Sequence, residues 1–251
     1  MRVSLTRVWV IILIVMAMMA VSGCLGNRNW QYPPSDAGTY LGNQAPSAVA
    51  ARAIVLPLED LRGRGIKEEY WKATIPISPA YGDTIYERPE VAENPEEVDI
   101  VRFDPSKDFA KAIAAELAQS GIYSSVKYAE DIQQEPADVA FRGRLRSTAW
   151  KRRLYTYGFG PLGTLFWFFG APMSKTTTGL ELDLRLTPLN DPTKVLWSMT
   201  MEAENQQLDS PYYLFEDAVE SYPVAIQDAL KPAIADLIGL ANEDPNRLLP
   251  R

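Results

Sequence analysis

Apolar positions recur along the chain in several rhythms, and each rhythm predicts a different element. From Val8 to Ala20 they are continuous, without a charge. Arg52-Ala53-Ile54-Val55-Leu56-Pro57-Leu58 is a short apolar run closed by proline, as in a buried strand, and Glu59 to Gly65 reads as the turn after it. Phe109, Ile113 and Leu117 fall at i, i+4 and i+8 with Ala110 and Ala114 beside them. Asp104-Pro105 before this set and Gly121 after it supply an N-cap, a first-turn proline and a stop, so one amphipathic helix is predicted here. Ile122 to Tyr128 predicts a strand. Strict alternation follows: Val139, Phe141, Gly143 and Leu145 share one face while Arg142, Arg144 and Arg146 share the other. Thr178 to Leu189 repeats the pattern, with Leu180, Leu182, Leu184 and Leu186 opposite Glu181, Asp183 and Arg185, and Val195 to Glu204 repeats it again with Trp197, Met199 and Met201. These three strands predict an antiparallel meander with one wet face. Tyr212 to Glu220 and Pro223 to Leu240 predict two closing helices, the second with Val224, Leu230, Ile234, Leu237 and Ile238 on one side and a kink at Pro232.

Four stretches lack a sustained period. Residues 24–50 are polar and rich in Pro, Gly, Asn and Ser, and read as a flexible tether; residues 242–251 read as a loose tail. Residues 66–102 carry four prolines, an acidic run and the aromatics Tyr70, Trp71, Tyr81 and Tyr86. They predict a long insertion laid over the core, with its aromatics either packed or offered to a partner. Residues 151–173 begin with Lys151-Arg152-Arg153 and continue into the most apolar segment outside the first 24 residues, Phe159 to Met173, which includes Leu165-Phe166-Trp167-Phe168-Phe169. An exposed run of this kind costs free energy in water, so it is expected to be folded on its own sheet, laid on a membrane surface, or docked on a partner. It is too short to span a bilayer as a helix. The whole is predicted to be one α+β domain over residues 51–241, a mixed, mainly antiparallel sheet with two or three helices on one face.

The continuous run at the start takes on meaning from its flanks. Arg2 and Arg7 precede it, and Val21-Ser22-Gly23-Cys24 follow it. A basic n-region, an apolar h-region and small residues form a secretory signal, and the cysteine directly after Ser-Gly resembles the lipobox of bacterial lipoproteins. The resemblance implies cleavage before Cys24 and lipid on its thiol. Cys24 is the sole cysteine, so no disulfide partner exists for it within the chain. Leu25 in the next position resembles lipoproteins sorted to the outer membrane, which implies attachment on its periplasmic face. Loss of Arg2 and Arg7 with the signal takes the net charge from -7 to about -9. That balance argues against a nucleic-acid partner and against binding anionic headgroups by charge alone.

Catalytic chemistry finds little to use. The chain has no histidine, which rules out Cys/His metal clusters, Ser-His triads and Cys-His dyads built from its own residues. Ser124 and Lys127 have Ser-x-x-Lys spacing but fall on a strand, where residues three apart face opposite ways. Gly158, Gly160 and Gly163 match G-x-G-x-x-G, yet Pro161 removes an N–H, Pro172 prevents a long crossover helix, and Asp183 lies in mid-strand. No enzyme, cofactor or metal is expected. The arginine row reads as a solvated face paired to Glu181 and Asp183.

The order "AIVLPLEDLR strand, FAKAIAAELAQSGIY helix, ADVAFRGRL strand, VLWSMTMEAE strand, C-terminal helix" behind a lipobox and polar tether is similar to the group that holds the TolB amino-terminal domain, the penicillin-binding-protein activator lipoproteins and the curli secretion channel lipoprotein. The resemblance rests on Ala137-Asp138 ahead of Gly143-Arg144-Leu145 and on Val195-Leu196-Trp197-Ser198. It implies an accessory role by protein contact in envelope assembly, transport or cell-wall synthesis, or else a membrane-associated oligomeric secretion or transport component using residues 159–173.

Overall fold

A computed structural model describes residues 30–33, 39–76, 81–92, 103–210 and 218–250. The signal, Cys24 and the segment expected to be helical from Tyr212 lie outside them, apart from its last residues. In chain order the elements are β1 (Val49–Val55), β2 (Glu59–Asp60), β3 (Ile66–Glu68), a 3-10 turn (Tyr70–Thr74), β4 (Tyr81–Tyr86), α1 (Pro89–Ala92), α2 (Pro105–Ser120), β5 (Tyr123–Tyr128), β6 (Val139–Ser147), β7 (Trp150–Tyr155), a second 3-10 turn (Gly160–Thr164), α3 (Leu165–Phe168), β8 (Ser174–Pro188), β9 (Trp197–Asp209), α4 (Ala218–Glu243) and a last 3-10 turn (Pro245–Leu248).

The strands form one mixed sheet, parallel where β1 meets β5 and β6 and where β2 meets β6, and antiparallel elsewhere. This is the α+β architecture expected. Its axis is β8. One edge of β8 pairs with β9 along nearly its whole length, from Ser174 opposite Asp209 to Leu186 opposite Trp197. The other edge pairs first with β7 and then, after Gly179, with β6. β6 and β7 therefore run as one long strand beside β8, bent at Ser147 to Ala149, just past a register shift between Leu145 and Ser147. Beyond the bend, β4 and β3 continue the sheet from β7, while β1 and β5 continue it from β6. The sheet has a body and an arm.

Helices α2 and α4 cover one face of the body. Asp104 caps α2, accepting a hydrogen bond from Lys107 N–H, Pro105 fills its first turn, and Gly121 leaves it at φ 64°. The periodic set Phe109, Ile113 and Leu117 is buried against Leu145, Leu182 and Leu186, together with Tyr222, Leu230, Ile234 and Leu237 of α4. The opposite face carries the arginines. The expected pairing holds in part: Arg146 bonds Asp183 at 2.6 Å, and Arg144 reaches Glu59 of β2 at 3.0 Å. Buried Arg62 ties the bend together. It donates to Thr148 at 2.7 Å and to Asp60 at 3.0 Å, and pairs with Glu90 of α1 at 2.6 Å.

Four expectations change. The insertion at residues 66–102 is, where described, part of the sheet: β3 and β4 form a hairpin whose second strand pairs with all of β7. The closing helix runs unbroken from Ala218 to Glu243 through Pro223 and Pro232. Pro232 lies on the exposed side, where water can satisfy the carbonyl its ring leaves unbonded, while Ala229, Leu230, Ala233 and Ile234 hold the buried side. The tail is not loose, because Leu248 is fully buried in the core. The tether, where described, is a strap over α2 and α4. Trp30 stacks on Phe103 at 5.1 Å and meets Phe109 edge-on at 5.4 Å. The Tyr32 hydroxyl donates to Glu116, whose other oxygen accepts from Leu41 N–H at 3.0 Å. Gln227 of α4 donates to the Thr39 carbonyl at 2.9 Å. Glu116 is only 1% exposed, and the strap supplies two of its donors beside the longer bond of 3.4 Å from Gln227. Burial and the neighbouring carboxylate together push the Tyr32 phenol well above its usual range.

Tyr32→Phe removes one donor from Glu116 and is expected to lower stability by about 1–3 kcal/mol, read as a lower urea midpoint. An unchanged midpoint would show that the bond from Tyr32 to Glu116 contributes nothing to the fold.

Candidate functional site

The arm ends in the loop 156–173, which joins β7 to β8. Its reversal needs backbone that only small residues adopt freely. Gly158 stands at φ 82° and Gly160 at φ 55°, and a Cβ on Gly163 would lie 1.9 Å from the Thr156 carbonyl oxygen. The three glycines thus make a tight turn. Gly160 also lies against Thr74 and Pro76, so the 3-10 turn Tyr70–Thr74 buttresses the base of the loop. Thr156 fastens the two by donating to the Ala73 carbonyl at 2.7 Å.

On this base the second 3-10 turn and α3 turn their side chains outward. Phe159, Leu162, Leu165, Phe166, Phe168 and Phe169 are all exposed, Leu162 at 69% and Phe169 at 87%. Each such side chain gains about 1.5–3 kcal/mol when fully withdrawn from water. Trp167 is the exception: it is half-buried and its indole N–H donates to the Tyr155 carbonyl at 2.8 Å. Tyr157, Phe159 and Phe166 pack on one another, with centroids 5.3 and 5.5 Å apart, and the Tyr157 hydroxyl donates to the Pro172 carbonyl at 2.5 Å. The tip is built rather than slack.

The second aromatic set divides. Tyr70 and Trp71 are half exposed on the turn that supports the tip, and Tyr81, opposite Tyr155 in the ladder, carries the Arg153 guanidinium over its ring at 4.9 Å. These three stand at the tip end of the arm. Tyr86 does not: it faces inward at the other end of β4, stacked on Trp150 at 5.7 Å with its hydroxyl on Glu68 at 2.7 Å. Burial, with Glu68 beside it, pushes the Tyr86 phenol up to about 12.

The basic triplet is paired in part within the arm, its three positive charges facing the two carboxylates of Asp83 and Asp209. Asp83 takes Arg153 through two bonds of 2.7 and 3.0 Å and lies 3.9 Å from Lys151, and the paired Arg153 holds the Asp83 carboxyl below its ordinary value. Arg152 lies 3.6 Å from buried Asp209, which also accepts from Ser174 at 2.5 Å and Thr176 at 2.7 Å. Lys151, Arg152 and Arg153 therefore belong to a strand whose positive charge is largely engaged within the arm. Among the described residues no group of three or more acids is placed to hold a metal ion.

Sequence reasoning found the apolar residues of the tip but missed that β4 and the turn Tyr70–Thr74 carry it. The alternation Gly82, Thr84 and Tyr86 against Tyr81, Asp83 and Ile85 is interrupted by too many polar residues to read as a strand by itself. Cys24 lies outside the described residues.

No protein-family model matches the chain, and no curated protein matches it. Among solved structures it is similar to a point variant of the PelC dodecamer from Paraburkholderia phytofirmans, with a TM-score of 0.33 and 14% identity over 76% of this chain and 93% of that one. It is also similar to a neuraminyllactose-binding hemagglutinin homologue from Helicobacter pylori, with a TM-score of 0.30 and 10% identity over 82% and 96%. Likeness at this level carries no argument about role.

Two outcomes test the site as built. Gly163→Ala is expected to open the tip, giving faster proteolytic cleavage within residues 156–173 while the body resists. Asp83→Asn is expected to destabilise the arm at neutral pH. Because the folded carboxyl titrates below the unfolded one, the wild-type advantage is full above about pH 4 and vanishes as pH falls through the lowered value. Urea midpoints of both proteins between pH 6 and 2 check the sign.

Proposed function

We propose that the protein is a lipid-anchored, periplasm-facing accessory component of the cell envelope that works by contact rather than by turnover, held at Cys24 on the inner face of the outer membrane. The observation that carries this reading is the tip: residues 156–173 contain no charge, and six large apolar side chains point into solvent from a loop whose own backbone is bonded in part. Monomeric soluble proteins rarely keep such a patch without an interaction partner. The lipobox pattern before Cys24 supplies the anchor, and the -7 charge leaves apolar contact as the means of association. No catalytic role is assigned to any residue.

The oligomeric secretion or transport component would use the same tip between copies. A photo-crosslinking residue at Phe169, in cells, separates the readings. Capture of lipid or of another envelope protein is the expected result and supports the accessory role. Capture of a second copy moves the assignment to the oligomer, and links confined to the same chain would show that the tip contacts nothing.

A further inference from the structure

The geometry points to a bilayer as the occupant of the tip: we propose that residues 159–169 insert into the surface layer of the leaflet that holds the lipid on Cys24, so that the domain is attached at two points. The inference rests on the lipid-anchored reading for its second point only.

What the tip does not offer is the first argument. Residues 156–173 contain four side chains with hydrogen-bonding groups of ordinary strength, and each donates to a carbonyl of the chain itself. Thr156 donates to Ala73, Tyr157 to Pro172, Thr164 to Pro161 and Trp167 to Tyr155. Part of the backbone of the turn is bonded in the same way. The N–H groups of Phe159, Leu165, Phe169, Gly170 and Ala171 donate to carbonyls of Thr156, Gly163, Phe166, Trp167 and Phe166 respectively. A docked protein would be expected to find hydrogen-bonding groups in such a surface, about one per 100–200 Å². Hydrocarbon requires the opposite, a surface whose polar groups are already satisfied. The side chains of the tip, with Phe159, Leu162, Leu165, Phe166, Phe168 and Phe169 outward and the four polar ones bonded within the chain, meet that requirement.

Reach is the second argument. Trp30 stacks on Phe103, Phe103 stacks on Tyr222 at 5.5 Å, and the Tyr222 hydroxyl donates to the Thr148 carbonyl at 2.5 Å. The first described residue is therefore joined to the bend between β6 and β7 through three contacts in series. From Trp150 to Tyr155 the arm extends about 17 Å at about 3.3 Å per residue. The six residue steps from Trp30 back to Cys24 span at most about 20 Å. A lipid on Cys24 is thus held within about 20 Å of Trp30, a length comparable to that of the arm.

Charge is the third. With Lys151 and Arg153 sharing Asp83 and Arg152 beside Asp209, most of the positive charge of β7 is already engaged within the arm. Insertion should depend on apolar burial, be insensitive to salt, and require no anionic lipid.

The test uses the processed, lipidated protein reconstituted in phosphatidylcholine vesicles. Cys24 is the sole cysteine and its thiol carries the lipid, so a bimane placed at Phe169→Cys labels the tip alone. Nitroxides fixed just below the headgroups are expected to quench this bimane but not one at Ser198→Cys on the open sheet face, with the same result at high salt. Phe166→Asp in the labelled protein should abolish the quenching while the protein stays on the vesicles. Quenching by aqueous iodide instead, or energy transfer between tips of separate copies, would overturn the proposal. Mass spectrometry of the amino-terminal peptide checks the lipid independently: an unlipidated chain overturns the anchor, whereas a lipidated chain with a water-exposed tip overturns only the insertion.

Discussion

A single strand has to do two different things, and the structure follows from how it does them. β8 keeps the same alternate residues pointing inward for its full length, but the chemistry of those residues changes midway. Ser174, Thr176 and Thr178 are buried in the arm, and Leu180, Leu182, Leu184 and Leu186 in the body. The leucines pack under α2 and α4. The hydroxyls instead bond Asp209 and Ser221, a polar lining suited to a thin extension that has too little hydrophobic cover to bury leucine. Because strand side chains alternate strictly, a slip of one residue would exchange both sets for Lys175, Thr177, Glu181 and Asp183 at once, so register is tightly specified.

The change of partner along β8 is what makes an arm at all. One straight hairpin would pair β6 with β8 throughout. The bend at Ser147 to Ala149 redirects the chain, and Arg62, held by Asp60, Thr148 and Glu90, fixes that corner with charge-assisted bonds from three separate segments. Tyr222 closes it from the helical side through the Thr148 carbonyl. The corner is thus rigid, and the apolar tip stands at a set distance from the helices.

The strands with clean alternation, β6, β8 and β9, and the capped helix α2 were legible in the sequence because a half-buried face imposes its period directly on the residues. The arm was not. Its strands β4 and β7 carry aromatic and charged residues on both faces, the buried positions beside them on β8 are Ser174, Thr176 and Thr178 rather than apolar residues, and Lys151, Arg152 and Arg153 read as charges at the start of a loop. The strap was missed for a related reason: Trp30 and Tyr32 gain their order from Phe103 and Glu116, far away in the chain, and leave no local trace. At the tip, residue types were readable from sequence but their outward direction was not, because Trp167 and Phe168 are neighbours with opposite fates.

The strap also determines how the molecule bears a load. Any pull arriving from the amino-terminal side meets Trp30 first, then the Tyr32 contact with Glu116, then the Leu41 and Ala45 backbone bonds, and only afterwards β1. These attachments lie one after another along α2, so tension would peel them in sequence rather than shear them together. Such a seam yields in small steps and would lengthen the leash before the sheet itself is strained.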